Sequence, residues 1–144
     1  MFLMDYMQMA EDLAKTSRCG RNHVGCVMVR DNQVLVSAVN GQVEGAVSCT
    51  EIGGCLREIN HIPSGTSAGF CNAVCAETRC VCEAARDGIA LQGATVYCTH
   101  MPCIICMKNL AVIGVDTVYY KQGYPDKHSM AIAQHAGLKV VQVG

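Results

Sequence analysis

The sequence predicts an α/β fold with a largely parallel or mixed sheet and helices on both of its faces. Four segments repeat apolar residues at helical spacing, and five short runs are rich in β-branched residues. After an initial helix and a hairpin, helices and strands alternate, which is typical of a sheet that contains parallel strands. The 144 residues match the length of one domain. Because no repeat, linker or low-complexity tract divides them, we expect a single domain over residues 1–144.

The first half of the chain contains one predicted helix, two predicted strands and a long loop. Residues 4–16 have the apolar spacing of an amphipathic helix. The runs at residues 24–29 and 34–39 flank an Asp-Asn pair that suits a tight hairpin turn. Residues 40–72 carry several glycines and no sustained period, which predicts an irregular loop. A loop of that length usually has a function or is held by an internal cross-link such as a metal site.

The second half alternates helices with strands. Helices are predicted at residues 75–86, 103–113 and 127–136, and each is followed closely by a glycine, the residue that most often closes a helix. Strands are predicted at residues 94–99, 117–120 and 139–143.

Composition and charge exclude several classes of protein. Hydrophobic residues make up 51% of the chain and charged residues only 16%, which excludes disorder and favours an oligomer. The net charge of -1 argues against a polynucleotide or an anionic membrane as the partner. No apolar run approaches the roughly 18 residues of a membrane span, and the first residues lack a signal-peptide pattern. These observations predict a cytoplasmic protein.

The 11 cysteines are the most unusual feature of the composition. Their odd number and the length of the chain do not fit a small secreted domain held by disulfides. In a reducing compartment, clustered cysteines more often bind a metal or pack as small apolar residues.

Two cysteine motifs lie at the predicted starts of two helices. Cys103 and Cys106 form a C-x-x-C pair directly after Pro102, and Cys75 begins an earlier helix. Helix N-termini stabilise thiolates. Three thiolates can form an open zinc site whose fourth position holds water, although a C-x-x-C pair alone also fits a redox motif.

Glu77 stands two residues after Cys75, where its carboxylate can move protons without binding the metal. Zinc lowers the pKa of a bound water toward neutrality. Together they predict hydrolysis of an amidine-like C–NH₂ group. The alternative is that Glu77 is an ordinary exposed acid in a first helical turn.

These motifs resemble the zinc-dependent cytidine deaminase superfamily, whose signature pairs H-x-E with P-C-x-x-C. The similarity extends along nearly the whole chain and is closest to the deoxycytidylate (dCMP) deaminases. Other segments that carry it are Asn40-Gly41, Cys55-Leu56-Arg57-Glu58, Ile62-Pro63-Ser64-Gly65 and Gly123-Tyr124-Pro125-Asp126.

The resemblance implies a three-layer α/β/α fold around a five-stranded mixed sheet. It also implies zinc-dependent hydrolysis of dCMP to dUMP, a small nucleotide as the substrate, and a homo-oligomer that is commonly a hexamer. The alternatives are a deaminase of cytidine or deoxycytidine nucleosides or of dCTP, and an inactive zinc-binding relative.

The chain departs from this family at three positions. The first zinc ligand is usually His, whereas Cys75 stands here, and Arg79 replaces a usual Asn. Because Arg79 follows Cys75 by one helical turn, we hypothesise that its guanidinium donates to the thiolates and offsets their added charge. The alternative is a solvated cation on the helix surface. Val39 replaces a usual Tyr, which affects contacts in that loop.

The resemblance also implies substrate contacts. Asn40 would contact the sugar, and the backbone of Ala76 would contact the pyrimidine edge. Arg21 and Tyr120 stand where phosphate contacts are expected, with surface or packing roles as the alternative. His100 would help to line the base pocket.

The remaining cysteines fall into two groups. Several relatives carry a second, structural zinc in the long loop, so the resemblance predicts one there, with His61 or His23 as substitute ligands and four free thiols as the alternative. The predicted ligands are Cys19, Cys49, Cys55 and Cys71. The other four, Cys26, Cys80, Cys82 and Cys98, are predicted to be buried packing residues.

Overall fold

A computed structural model describes residues 3–19, 22–45, 60–61 and 73–144. The helices in these ranges are α1 (Leu3–Ala14), α2 (Ala76–Asp87), α3 (Ile104–Ile113) and α4 (Lys127–Ala136). The strands are β1 (Gly25–Arg30), β2 (Gln33–Val39), β3 (Gly41–Gln42), β4 (Ala73–Val74), β5 (Thr95–His100), β6 (Thr117–Gln122) and β7 (Lys139–Gln142). Every predicted element is present with small shifts at its ends, and the two-residue strands β3 and β4 were not predicted.

Five strands form the central sheet in the order β2-β1-β5-β6-β7. Strand β1 is antiparallel to both β2 and β5, whereas β5, β6 and β7 are parallel. The predicted mixed five-stranded sheet is therefore confirmed. The parallel half places the carboxyl ends of β5 and β6 at the same edge, the usual location of a ligand site in such sheets.

The hairpin between β1 and β2 has the predicted tight turn. Asp31 and Asn32 have φ angles of 52° and 60°, so both central residues are in the left-handed region. A two-residue turn of this kind matches the right-handed twist of the strands. It sets the register in which Arg30 pairs with Gln33.

Helices cover both faces of the sheet. On one face, Tyr6, Met7 and Ala10 of α1 pack against Val27 and other side chains of β1 and β5. On the other face, buried residues of α2, α3 and α4 pack against the alternate residues of the same strands. This arrangement confirms the three-layer α/β/α fold.

A short ladder joins the two ends of the long predicted loop. Gly41 pairs with Val74 and Gln42 with Ala73, so β3 and β4 are antiparallel. Most of the loop, residues 46–59 and 62–72, lies outside the described residues. The ladder fixes the position of the backbone directly before Cys75.

The backbone of α1 lies very close to β1 at Gly25. A Cβ atom here would overlap the carbonyl oxygen of Ala10 and lie 3.0 Å from the backbone nitrogen of Ala14. Both obstacles are backbone atoms, so the helix itself would have to move. Only glycine permits this distance between α1 and the sheet.

We expect Gly25→Ala to lower the free energy of unfolding by about 3 kcal/mol, because the added methyl group forces α1 away from the sheet. Gly41→Ala is the matched control, since its Cβ would meet no atom within 4 Å. The control should change stability by less than about 0.5 kcal/mol. Urea denaturation followed by circular dichroism measures both, and equal stabilities would contradict the close contact.

Candidate active site

Two helix N-termini present cysteine side chains to the same point. Cys75 is the N-cap of α2 and Cys103 is the N-cap of α3, and both have extended backbone angles. Neither sulfur makes the capping hydrogen bond that an N-cap side chain usually makes. Cys106 lies in the first turn of α3. Both sulfurs at the caps are therefore available to a ligand.

The structure brings together the three predicted zinc ligands. The sulfur atoms of Cys75, Cys103 and Cys106 all lie within 4.8 Å of one another, and none forms a disulfide. A tetrahedral zinc ion with bonds of about 2.3 Å separates its sulfur ligands by about 3.8 Å. The spacing and the sulfur chemistry therefore fit zinc. Within the described ranges no other group of three metal-binding side chains is this close.

The three cysteine thiols differ in pKa. Hydrogen bonds from Cys106 and Cys75 lower the pKa of Cys103, and the backbone N–H groups of Ile105 and Cys106 lower it further. The hydrogen bond with Cys103 raises the pKa values of both Cys75 and Cys106. The Cys103 sulfur is thus the most readily ionised of the three, and a bound cation would favour loss of the proton from the other two.

Glu77 is buried beside this cluster. Only 5% of its surface is exposed, which removes the alternative of an ordinary exposed acid. Burial raises the pKa of its carboxyl group to about 7. The Cys98 thiol of β5 donates to its Oε1 at 3.7 Å. A carboxyl group that gains and loses a proton near neutral pH is suited to proton transfer.

The hydrogen bonds of Arg79 correct the hypothesis about its role. Its guanidinium donates to the carbonyl oxygens of Gly41 and Gln42 at 2.9 and 2.7 Å, and it makes no hydrogen bond to the three sulfurs. The side chain therefore binds β3, whose half-buried residues gain two hydrogen bonds at their carbonyl oxygens. Arg79 connects the short ladder to α2 and makes no hydrogen bond to the three sulfurs.

Three hydrogen bonds fix the side chain of Asn40. Its Oδ1 accepts from the Ser17 hydroxyl at 2.7 Å and from the Val24 N–H at 2.9 Å, and its Nδ2 donates to the Asn22 carbonyl at 2.9 Å. The side chain joins the end of β2 to the segment before β1. Asn40 also lines a cleft of about 380 Å³ together with Arg18 and Arg79.

The other predicted substrate contacts differ in their surroundings. Ala76 is fully buried at the start of α2, next to the cluster. Tyr120 is only 2% exposed and belongs to the main core, which favours the packing alternative. Arg21 lies outside the described residues. His100 is half-buried, which lowers its pKa, and its Nδ1 lies 2.9 Å from the Thr99 hydroxyl.

The remaining cysteines follow the predictions in part. Cys26, Cys80 and Cys98 are buried as predicted, whereas Cys82 is exposed and its predicted burial is wrong. Position 82 lies on the outer face of α2, which the apolar neighbours in the sequence did not reveal. Cys19 is buried. The other three predicted structural ligands, Cys49, Cys55 and Cys71, lie outside the described residues.

Two residues near the cluster were not predicted from the sequence. The Thr78 hydroxyl lies 3.3 Å from the Cys106 sulfur, and Cys98 was predicted only as packing. The one feature of the sequence that could have indicated Thr78 is its position directly after Glu77. The contact of Cys98 with Glu77 depends on how α2 packs on β5, which cannot be read from the sequence.

None of the helices described here has the length and apolar character needed to cross a membrane.

Comparison with known proteins gives a consistent result. The chain is 35% identical over 138 residues to the deoxycytidylate deaminase of Schizosaccharomyces pombe, covering 95% of this chain and 42% of that protein. It therefore spans less than half of that relative's length. It is 32% identical over 139 residues to ComE operon protein 2 of Bacillus subtilis, covering 96% of this chain and 69% of that protein.

Among solved structures, the dCMP deaminase of cyanophage S-TIM5 in complex with dCMP and dUMP is similar over 97% of this chain and 95% of that chain. The TM-score is 0.78 and the sequence identity is 27%. Residues 2–122 match the model of the cytidine and deoxycytidylate deaminase zinc-binding region, and these residues include all three clustered cysteines and Glu77. The chain therefore belongs to the family of cytidine and deoxycytidylate deaminases.

Proposed function

We propose that this protein is a zinc-dependent deaminase that hydrolyses dCMP to dUMP and ammonia. The observation that carries the proposal is the buried carboxyl group of Glu77 beside three convergent cysteine sulfurs. Intact Glu77 also argues against an inactive zinc-binding relative, because a structural metal site needs ligands but no proton carrier. The cyanophage protein, whose structure contains dCMP and dUMP, supports the nucleotide substrate.

The chemistry divides between the metal and the carboxyl group. When bound at the three sulfurs, Zn²⁺ supplies Lewis acidity that activates water for attack on C4 of the cytosine ring. Glu77 accepts a proton from the attacking water and donates it to the ring nitrogen N3. It then helps to transfer a proton to the departing amino group, so that dCMP and water yield dUMP and ammonia. A pKa of about 7 allows both directions of transfer.

The surrounding residues would hold the nucleotide. Ala76 begins α2, and its backbone would contact the pyrimidine edge at the floor of the site. Asn40, fixed by Ser17 and Val24, would contact the sugar. Arg18 lines the same cleft as Asn40 and adds positive charge for the phosphate. Arg21 would contribute a second cation.

Further properties belong to the same proposal. We infer that residues 1–144 form one domain, that the protein works in the cytoplasm, and that it forms a homo-oligomer, for which the family resemblance suggests a hexamer. Exposed apolar residues on α3 support an oligomer, since Val112 is 88% exposed and Ile105 is 48% exposed. A second, structural zinc would be bound by Cys19, Cys49, Cys55 and Cys71.

Glu77→Gln should lower kcat for dCMP by about 10²–10⁴-fold, because the amide cannot carry the proton. Zinc content should not change, since Glu77 is not a ligand. Asp87→Asn, at the exposed far end of α2, is the control and should retain full activity. Steady-state kinetics and metal analysis test this together. Full activity of the Glu77 variant with zinc bound would contradict the assigned role.

The substrate can be identified by measuring ammonia release from dCMP, dCTP, deoxycytidine and cytidine. We expect a higher kcat/KM with dCMP than with either nucleoside, because Arg18 and Arg79 outnumber the one acid, Glu44, in the cleft beside Asn40 and favour a phosphorylated sugar. Higher kcat/KM with deoxycytidine or cytidine would instead favour a nucleoside deaminase. No turnover of any of the four by zinc-loaded protein would contradict the enzymatic function.

Metal analysis should find two zinc atoms per chain. Cys103→Ser should lower the number to one, because it removes a ligand from the catalytic cluster and leaves the second site intact. Cys71→Ser should also lower it to one while sparing the catalytic atom. A single zinc atom in the unmodified protein would contradict the structural site.

A further inference from the structure

Thr78 connects the two helices that form the cysteine cluster. It lies in the first turn of α2, and its hydroxyl oxygen is 3.3 Å from the sulfur of Cys106 in the first turn of α3. Its side chain therefore reaches across from the helix that carries Cys75 to a ligand on the other helix.

The direction of this hydrogen bond follows from the state of the sulfur. A cysteine that binds zinc has lost its proton, so the Cys106 sulfur can only accept. The Thr78 hydroxyl must then donate. Hydrogen bonds to charged acceptors are about twice as strong as those between neutral groups.

The cluster has a particular need for such a donor. Three thiolates around one divalent cation leave an excess negative charge. The backbone N–H groups of Ile105 and Cys106 lower the pKa of Cys103 without making a capping hydrogen bond to its sulfur. Arg79, the nearby cation on α2, donates instead to the carbonyl groups of Gly41 and Gln42. The buried Cys106 sulfur is served by the Thr78 hydroxyl.

We propose that Thr78 is a positioning residue that orients the Cys106 thiolate and withdraws part of its negative charge through an O–H···S hydrogen bond. This inference rests on the proposed zinc at Cys75, Cys103 and Cys106. The hydroxyl compensates for the third thiolate without adding a formal charge. It also fixes α2 against α3 at the point where both contribute ligands.

The test compares Thr78→Val with Thr78→Ser. Valine keeps the volume and branching of threonine but removes the donor, whereas serine keeps the donor. Zinc affinity is measured by competition with a chelator, and the sulfur-to-metal charge-transfer band is measured in protein loaded with Co²⁺. We expect T78V to bind zinc about tenfold more weakly, as is typical when a partner of a metal ligand is lost. Its charge-transfer band should move to lower energy, because an unbonded thiolate gives up electron density more easily.

T78S should retain both the affinity and the band of the unmodified protein. The role of the hydroxyl would be overturned if T78V kept the zinc affinity and band energy of the unmodified protein. It would also be overturned if T78V and T78S lost zinc affinity equally. Circular dichroism checks that each variant folds, and T78A replaces T78V under the same criteria if valine prevents folding. Failure of the unmodified protein to bind either metal would instead overturn the proposed zinc site itself.

Discussion

The convergence of two helix N-termini is the constraint on which the rest of the site depends. Helices α2 and α3 begin at Cys75 and Cys103, and their first turns bring three sulfurs within 4.8 Å of one another. Each N-terminus contributes partial positive charge and unpaired N–H groups, which favour thiolates over thiols. The sheet makes this possible, since β5 leads directly into the segment before Cys103 and packs beneath α2.

Burial destabilises the ionised form of Glu77, and the proposed proton transfer depends on this effect. A carboxyl group in a dry environment resists ionisation, and here that resistance raises the pKa to about 7. Its neighbours are sulfur atoms, which solvate a carboxylate weakly. The Cys98 thiol contacts Glu77 and also lies 3.5 Å from the Cys26 sulfur, its partner across β1 and β5. The cysteine-rich core thus extends from the sheet to the reacting group.

Much of the fold and the main site could be predicted from the sequence, because periodicity and motif spacing are local signals. The hairpin turn at Asp31 and Asn32 and the helix start at Cys103 are examples. The side chain of Arg79 shows where local reasoning fails. Its spacing from Cys75 indicated a contact, but its guanidinium binds carbonyl groups more than thirty positions earlier in the chain. Pairings of that range depend on tertiary structure, as do the β3–β4 ladder and the contact of Cys98 with Glu77.

The β3–β4 ladder connects the position of the cysteine cluster to a distant part of the chain. Its two residue pairs and the hydrogen bonds from Arg79 hold both ends of the intervening segment next to α2. Cys75 directly follows β4, so the place of the first clustered sulfur depends on backbone pairs with residues more than thirty positions earlier in the chain.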